Sequence, residues 1–315
     1  MDSSERVLVQ YPLFKAAIAR IQGCFDSYKT TAEPSCCPVV GESGGGKTTI
    51  ITHFAALHPP IDHNWGMEVP ILLAKVPSRP TVKSLAETLL YTLGDPLWGR
   101  GNTVSKSIRL RELFSRCRVR LLALDEFQHF VDVRRANVSN DVADWLKEQV
   151  EAAKLPIVVL GLPRCLEVLK QNEQLRRRFG ATVRIGAFRW EAQEDRIAYR
   201  AFLRAVQGQL TDYRMPSMSD VQMAFRMHYA SYGLVGYTMK IIRGAARIAT
   251  HNREITLNTL AHSFAEHVWA ERLEDPNPFL ENFDLGQAPP SRLPSEMTIG
   301  PRTLQPLKFG RELHA

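Results

Sequence analysis

The feature that most constrains the fold is a glycine-rich loop that follows a short apolar run and precedes a stretch of helical pattern. Its sequence, Gly41-Glu42-Ser43-Gly44-Gly45-Gly46-Lys47-Thr48, matches the spacing G-x-x-x-x-G-K-[ST]. The glycines allow successive backbone N–H groups to turn toward a phosphate chain, while Lys47 reaches the terminal phosphates and Thr48 ligates Mg²⁺. We therefore predict a nucleotide site with contacts from Gly41, Glu42, Ser43, Gly44, Gly45, Gly46, Lys47, Thr48 and Thr49.

A second motif places two acids at the end of an apolar strand, in the stretch Leu121-Leu122-Ala123-Leu124-Asp125-Glu126. Open α/β sheets bind ligands at the carboxyl ends of their strands, so this acidic pair is expected beside the phosphates. Hydrolysis needs a metal-neutralised γ-phosphate and a water in line with it. Asp125 is therefore predicted to hold Mg²⁺ together with Thr48, and Glu126 to orient or deprotonate the water.

Apolar runs alternate with helical patterns as far as Trp190, which predicts an α/β core with a mostly parallel sheet. The predicted strands are residues 38–40, 69–76, 119–124, 157–160 and 183–185, and helices are expected over 11–25 and 141–153. After Trp190 only helical patterns remain, at residues 191–206, 219–229, 234–250 and 256–273. Seven of the nineteen prolines then fall within residues 275–315, a composition that does not fold alone.

These patterns divide the chain into four predicted parts. They are an N-terminal helical extension (1–35), a nucleotide-binding αβα core (36–190), a small helical lid (191–274) and a Pro-rich, flexible tail that binds a partner (275–315).

The chain carries a formal net charge of +7, which favours a polyanionic partner. Residues 100–120 hold seven bases against one acid, Glu112, and Arg109 and Arg116 are two helical turns apart. Phosphate contacts by lysine, arginine and threonine give affinity without sequence preference. This segment is either a stripe that contacts a nucleic-acid backbone or an ordinary charged helix face.

Three consecutive arginines, Arg176, Arg177 and Arg178, end a short helical stretch just before a predicted strand. An arginine in that place can reach the γ-phosphate on a neighbouring subunit and stabilise charge in the transition state, which makes hydrolysis depend on assembly. Arg178 is our first choice, followed by Arg177. The alternative is a solvated basic face or a contact with a phosphate backbone.

The remaining composition argues against several other classes of protein. The five cysteines are scattered and the nine histidines lack metal-ligand spacing, which indicates reduced structural thiols and no metal site of protein ligands. No apolar run is long enough to span a membrane and no signal peptide is evident, so we expect a cytoplasmic protein without a membrane partner.

With these motifs in this order, the chain looks like an AAA+ ATPase, and more closely it resembles transposition regulators of the TniB/TnsC type. The stretches that carry this resemblance are Gly41-Glu42-Ser43-Gly44, Leu93-Gly94-Asp95-Pro96, Leu124-Asp125-Glu126-Phe127-Gln128-His129-Phe130, Asp144-Trp145-Leu146-Lys147 and Leu160-Gly161-Leu162-Pro163. They cover roughly residues 10–272, so the tail lies outside the resemblance.

The resemblance implies an ATP- and Mg²⁺-dependent assembly, a ring (hexameric in our expectation) or a helical filament, on double-stranded DNA without sequence preference. It implies that this assembly links a target-selection protein of the TniQ type to a transposase, and that ATP hydrolysis drives disassembly. It further suggests DNA-backbone contacts from Arg100, Thr103 and Lys106, with Arg109 beside them.

Two positions depart from the AAA+ pattern. The strand over 157–160 ends in Gly161 and offers no polar sensor side chain, and in the lid Lys240 is our choice for the nucleotide contact, with Arg243 as the alternative. We therefore expect slow hydrolysis that DNA or partners stimulate. The competing hypotheses are a nucleotide-gated DNA scaffold with little hydrolysis and an initiator-like or clamp-loader-like ATPase.

Overall fold

The computed structural model describes residues 3–30, 33–132, 136–267 and 276–289. A five-stranded parallel sheet lies at its centre, with the strand order β4-β5-β6-β1-β7. The strands are β1 (Cys37–Gly41), β4 (Ile71–Lys75), β5 (Leu121–Asp125), β6 (Ile157–Gly161) and β7 (Val183–Ile185). All five predicted strands are therefore present.

Helices cover both faces of this sheet. Before residue 190 they are α1 (Ser3–Arg6), α2 (Pro12–Asp26), α3 (Lys47–Ala56), α4 (Val82–Thr92), α5 (Thr103–Arg116), α6 (His129–Asp132), α7 (Ala136–Ala153), α8 (Leu166–Lys170) and α9 (Glu173–Arg178). The helices that follow are α10 (Gln193–Gln209), α11 (Val221–Ser231), α12 (Val235–Ile248) and α13 (Leu257–His267). The rest of the helix predicted over 256–273 lies outside the described residues.

Side chains alternate along each strand, so the two faces of the sheet contribute to different cores. In β5, Leu121 and Ala123 pack in the cluster that contains α2, α3 and the helices after residue 190. Leu122 and Leu124 pack in the opposite cluster, with α4, α5, α7 and α8. Every residue of β1, β5 and β6 is buried, which is why these strands are continuous apolar runs in the sequence.

The sequence analysis did not predict the antiparallel hairpin of β2 (Ile61–His63) and β3 (Gly66–Glu68) between α3 and β4. Its strands are three residues long and lack alternating apolar positions, so they give no periodic signal. The half-exposed Trp65 at its turn stacks on His63 and lies 4.1 Å below the Arg118 guanidinium.

The segment 276–289, which we call the strap, differs from the flexible tail that the prolines predict. Phe279 and Phe283 are buried against the helices after residue 190, and Arg226 donates hydrogen bonds to the carbonyls of Pro278 and Leu280. Two buried aromatic rings supply the apolar burial that the rest of this stretch lacks. The predicted tail beyond 289 lies outside the described residues.

The described helices include none that is long and apolar enough to cross a membrane. All five cysteines are buried and free.

Candidate nucleotide-binding site

The glycine-rich loop connects β1 to α3 at the carboxyl edge of the sheet. Gly44 and Gly46 have φ values of 77° and 94°, a region that glycine enters without strain. Gly46 also caps α3 without any side-chain hydrogen bond, so the first N–H groups of that helix remain available to an anion. A Cβ on Gly41 would lie 2.0 Å from the carbonyl oxygen of Ile185. The loop is therefore a close-packed backbone cradle of the kind that holds phosphates.

Lys47 lies inside this cradle. Its Nζ donates hydrogen bonds to the carbonyl oxygens of Gly41 and Glu42, both at 2.8 Å. Burial lowers the pKa of the Lys47 ammonium, and the carboxylates of Asp125 and Glu126 act in the opposite direction. The ammonium thus occupies the centre of the loop with two acids close enough to influence it.

Thr48 and Asp125 join the two sequence motifs into one site. The Thr48 hydroxyl donates to Asp125 Oδ2 at 2.7 Å, and Asp125 Oδ1 accepts the backbone N–H of Glu126 at 2.9 Å. A hydroxyl and one carboxylate are the oxygen ligands that proteins supply to Mg²⁺ when nucleotide phosphates and water provide the rest. No cluster of three or more His, Cys, Asp or Glu side chains that could hold a metal ion occurs in the described ranges.

Glu126 adopts a strained backbone conformation, with φ of 59°. It is held there from both sides, since Val76 N–H donates to the Asp125 carbonyl at 2.8 Å and Phe127 N–H donates to the Leu160 carbonyl at 2.9 Å. A non-glycine residue in the left-handed region costs about 1–3 kcal/mol, and such strain clusters at functional sites. The neighbouring strands therefore turn the Glu126 side chain out of the strand direction and onto the edge of the sheet.

A cavity next to the loop was missed by the sequence analysis. It is bounded by the segment before α2, by Gly46 and Thr49, and by α10 and α12. The side chains that line it are mostly apolar, including Val7, Val9, Tyr11, Phe202 and Met239. It adjoins the loop at Gly46 and the start of α3 at Thr49. The only sequence signal for this cavity was the apolar run before α2, which the sequence analysis assigned to the N-terminal helical extension.

The helices after residue 190 contact the loop through backbone atoms. Gly236 N–H, at the start of α12, donates to the Gly44 carbonyl at 2.7 Å, and the Tyr237 ring packs against Gly44. Lys240, the predicted nucleotide contact, is exposed one helical turn after Gly236. Arg243 instead donates to the carbonyl of Ser4 at 3.2 Å, so it fastens α1 to α12.

The three arginines lie at the other edge of the sheet. Cys36, just before β1, donates its N–H to the Arg178 carbonyl at 3.0 Å, and five residues of β1 (about 16 Å of strand) separate this point from the loop. Arg178 is only 18% exposed and pairs with Glu151 and Glu33, whereas Arg177 is 73% exposed and pairs with Glu173 one turn away. The geometry therefore favours Arg177, or the exposed Arg176, over Arg178 for a contact outside this chain.

The predicted DNA contacts fall into two groups. Lys106 is fully buried, and its Nζ donates to the carbonyls of Trp98 and Arg100 at 2.8 and 3.0 Å and pairs with Glu87 at 3.2 Å. A buried ammonium cannot reach a DNA backbone, so the structure assigns Lys106 to holding the loop between α4 and α5 instead.

Arg109 supports the same loop. It pairs with the buried Asp95 at 2.9 Å and donates to the carbonyls of Leu97 and Arg100. Arg100 is exposed in this loop and Thr103, at the start of α5, is half-buried. Arg100 and Thr103 are therefore the two predicted DNA contacts that remain accessible.

The chain matches the family model described as "Bacterial TniB protein" over residues 3–191. Its fold is similar to CDC6P from Pyrobaculum aerophilum, with a TM-score of 0.60 at 13% identity, covering 84% of this chain and 69% of that one. It is also similar to Aeropyrum pernix ORC1 in complex with DNA, with a TM-score of 0.58 at 14% identity, covering 80% and 64%. For Aeropyrum pernix ORC2 with ADPNP and ADP the TM-score is 0.57 at 13% identity, covering 86% and 72%. No curated protein matches the chain in sequence.

Proposed function

The chain belongs to the bacterial TniB family, and from that premise we propose that it is an ATP-dependent, DNA-binding regulator of DNA transposition. In this proposal ATP favours a homo-oligomer, a hexameric ring or a helical filament, on double-stranded target DNA. The assembly links a target-selection protein of the TniQ type to the transposase, and hydrolysis of ATP releases it. Nucleotide binding thus controls the population of the assembled state.

The observation that carries the proposal is the contact between Thr48 and Asp125, because it brings the phosphate loop and the acidic strand into one site. Lys47 binds the terminal phosphates there, and Thr48 and Asp125 hold Mg²⁺, which neutralises phosphate charge when bound. Glu126 takes the proton of the attacking water, or orients that water through hydrogen bonds.

DNA binding is proposed from charge and exposure. The net charge is +7, Arg100 lies on a loop that Lys106 and Arg109 hold in place, and Thr103 lies at the start of the helix that follows this loop. The likeness to a DNA-bound archaeal ORC1 agrees with this, although at 14% identity it concerns the fold alone. Contacts with phosphates predict affinity that falls steeply with salt and depends little on sequence.

Assembly is proposed from the positions of the arginines. They lie at the edge of the sheet opposite the phosphate loop, and this position supports a role at a site on another copy rather than at their own. An arginine supplied in trans is worth roughly 10³–10⁵ in the rate of nucleotide hydrolysis. A lone subunit would then hydrolyse ATP slowly. Slow hydrolysis suits a protein that sets the lifetime of an assembly better than one that performs mechanical work.

The runner-up is an initiator-like ATPase, which the likeness to ORC and CDC6 proteins favours. A nucleotide-gated scaffold with little hydrolysis is a third possibility. Sequence-specific DNA binding would favour the initiator, and ATP-dependent assembly without turnover would favour the scaffold.

The test is electron microscopy of the purified protein with duplex DNA, with ATP, ADP or a non-hydrolysable ATP analogue. We expect rings or filaments on DNA with ATP and with the analogue, and few with ADP. Lys47→Ala should abolish both nucleotide binding and assembly, while Glu126→Gln should bind ATP and form long-lived assemblies. Normal ATP-dependent DNA binding by Lys47→Ala would refute the proposal. Co-purification with the transposase and a TniQ-type protein would test the proposed links.

A further inference from the structure

The end of β6 lacks a polar side chain of its own because another residue occupies that space. A Cβ built on Gly161 would lie 2.6 Å from Gln128 Oε1 and 3.2 Å from Gln128 N. Gln128 comes from the segment after β5 and is 5% exposed. The absence of a side chain at Gly161 therefore leaves room for a buried glutamine, and the polar group that the sequence analysis found missing at Gly161 is supplied by the turn that follows β5.

The Gln128 amide makes two hydrogen bonds whose directions are fixed by chemistry. Leu162 N–H can only donate, and it donates to Gln128 Oε1 at 3.1 Å. An ionised carboxylate can only accept, and Gln128 Nε2 donates to Glu126 Oε2. Reversing the amide would place two donors face to face and two acceptors face to face. The amide thus links the backbone at the end of β6 to the Glu126 carboxylate in a single orientation.

This link restrains the side chain of Glu126, whose backbone is already held in a strained conformation. The backbone is held by hydrogen bonds at the ends of β4 and β6 on either side of the residue. A glutamate side chain still has three torsions, each of which can adopt more than one rotamer. A hydrogen bond from a group that is itself anchored to β6 removes that freedom. The carboxylate then points to one place at the edge of the sheet, which is the condition for a general base to act on one water.

We propose that Gln128 is a positioning residue for hydrolysis, which holds the Glu126 carboxylate in register with the end of β6. The proposal rests on the ATPase activity proposed above, since a residue can position Glu126 only where Glu126 acts. In this proposal Gln128 supplies the polar group that a side chain in place of Gly161 would otherwise supply. Gln128 acts through Glu126 and is not expected to touch the nucleotide.

The proposal predicts different effects for two substitutions of Gln128. Gln128→Ala removes the donor, and Gln128→Glu keeps the size but places a carboxylate against the carboxylate of Glu126. Because a misplaced reacting group costs on the order of 100-fold in rate, we expect kcat to fall about 10- to 100-fold in Gln128→Ala and further in Gln128→Glu. The KM for ATP and the Kd of a fluorescent ATP analogue should stay within about threefold, because no phosphate contact is lost.

A relocation variant tests position directly. Gly161→Asn alone should be inactive or destabilised, because its Cβ meets the Gln128 oxygen. In Gln128→Ala/Gly161→Asn the contact with Gln128 Oε1 is removed, so that only Cys165 Cβ and the backbone N of residue 128, each 3.2 Å from the added Cβ, must shift by a few tenths of an ångström. The introduced amide then starts close to where the Gln128 amide lay. We expect the double variant to recover at least about tenfold of the kcat lost in Gln128→Ala, with a coupling that independent sites would not show.

The matched control is Gln149→Ala, since Gln149 is also a buried glutamine and its amide has no hydrogen-bond partner within the described part of the chain. It should lower the melting temperature without lowering kcat in proportion.

A second readout is the lifetime of ATP-formed assemblies on duplex DNA, which should lengthen in Gln128→Ala as in Glu126→Gln.

The outcomes distinguish this proposal from the one it rests on. If the wild type hydrolyses ATP in a Glu126-dependent way and Gln128→Ala keeps its kcat and assembly lifetime, the role of Gln128 is wrong and the proposed function stands. If kcat falls no further in Gln128→Ala than in Gln149→Ala for the same fall in melting temperature, the role of Gln128 is also wrong. If the wild type shows no Glu126-dependent hydrolysis, both proposals fail.

Discussion

Replacing Lys106 tests whether this lysine supports a loop or contacts DNA. The side chain is fully buried, and its ammonium makes two hydrogen bonds to carbonyls and an ion pair with Glu87. Lys106→Met keeps the unbranched length and removes the charge, so the Trp98 carbonyl loses its bond from Lys106 and the Arg100 carbonyl keeps only the bond from Arg109. It also leaves the Glu87 carboxylate without its partner.

The magnitude follows from these contacts. Breaking a buried ion pair by removing one partner costs about 3–5 kcal/mol. The Glu87 side chain is 24% exposed and stays partly solvated, so we take the lower end, about 3 kcal/mol. At about 2–4 °C per kcal/mol for a domain of this size, the melting temperature should fall by roughly 6–12 °C.

The assay pairs thermal unfolding with DNA binding across a salt series, and Arg100→Ala is the matched variant. The Arg100 side chain is exposed and only its backbone carbonyl holds the loop, so stability should change by less than about 0.5 kcal/mol. Losing one phosphate contact should reduce the slope of log K against log salt by about 0.9. An unchanged melting temperature in Lys106→Met together with a slope reduced by about 0.9 would show that Lys106 contacts DNA and that the buried position is wrong.

Three further substitutions test contacts of the phosphate loop, the strap and the helices after residue 190. Gly236→Ala places a Cβ 2.5 Å from the Gly44 carbonyl oxygen, so we expect weaker nucleotide binding with an intact core, measured with a fluorescent ATP analogue; unchanged affinity would contradict the contact. Phe279→Ala should lower the free energy of unfolding by about 3–5 kcal/mol and expose the strap to protease, and equal protease resistance would show that the strap is not docked. Burial lowers the pKa of His228, which donates from Nε2 to the Phe188 carbonyl while Nδ1 has no hydrogen-bond partner among the described residues. Its neutral form therefore stabilises the fold above about pH 6.5, and stability should fall as pH drops below that value by at most about 1.4 kcal/mol per pH unit, a slope that His228→Gln should remove.

The sequence predicted the parts of the molecule that depend on pattern and spacing. The phosphate loop follows from the glycine, lysine and threonine positions, and the strands from apolar runs that are buried on both faces. The pairing of Thr48 with Asp125 was predicted as a shared Mg²⁺ site, and the structure brings the two side chains together. Local chemistry and topology were sufficient for these features.

What the sequence did not predict depends on which side chains meet in space. Lys106 and Arg100 look alike in a basic segment, yet one is buried under a loop and the other exposed on it. Gly161 looked like a missing polar group because the residue that fills its space, Gln128, lies in the turn after β5. The docked strap depends on two phenylalanines within a Pro-rich stretch, where composition alone indicates no fold.

The two edges of the sheet place a physical limit on what one copy of this chain can do. The phosphate loop, Asp125 and Glu126 lie at the carboxyl edge, while Arg176, Arg177 and Arg178 lie at the start of β1. A rigid strand cannot shorten, so no side-chain rotation brings an arginine across about 16 Å to the loop of its own chain. If one of these three arginines neutralises charge in the transition state, it must act on a second copy, and hydrolysis per subunit must then rise with protein concentration. A rate per subunit that stays constant from dilute monomer to full assembly would mean that Lys47 and the metal suffice, and that these arginines serve a different contact.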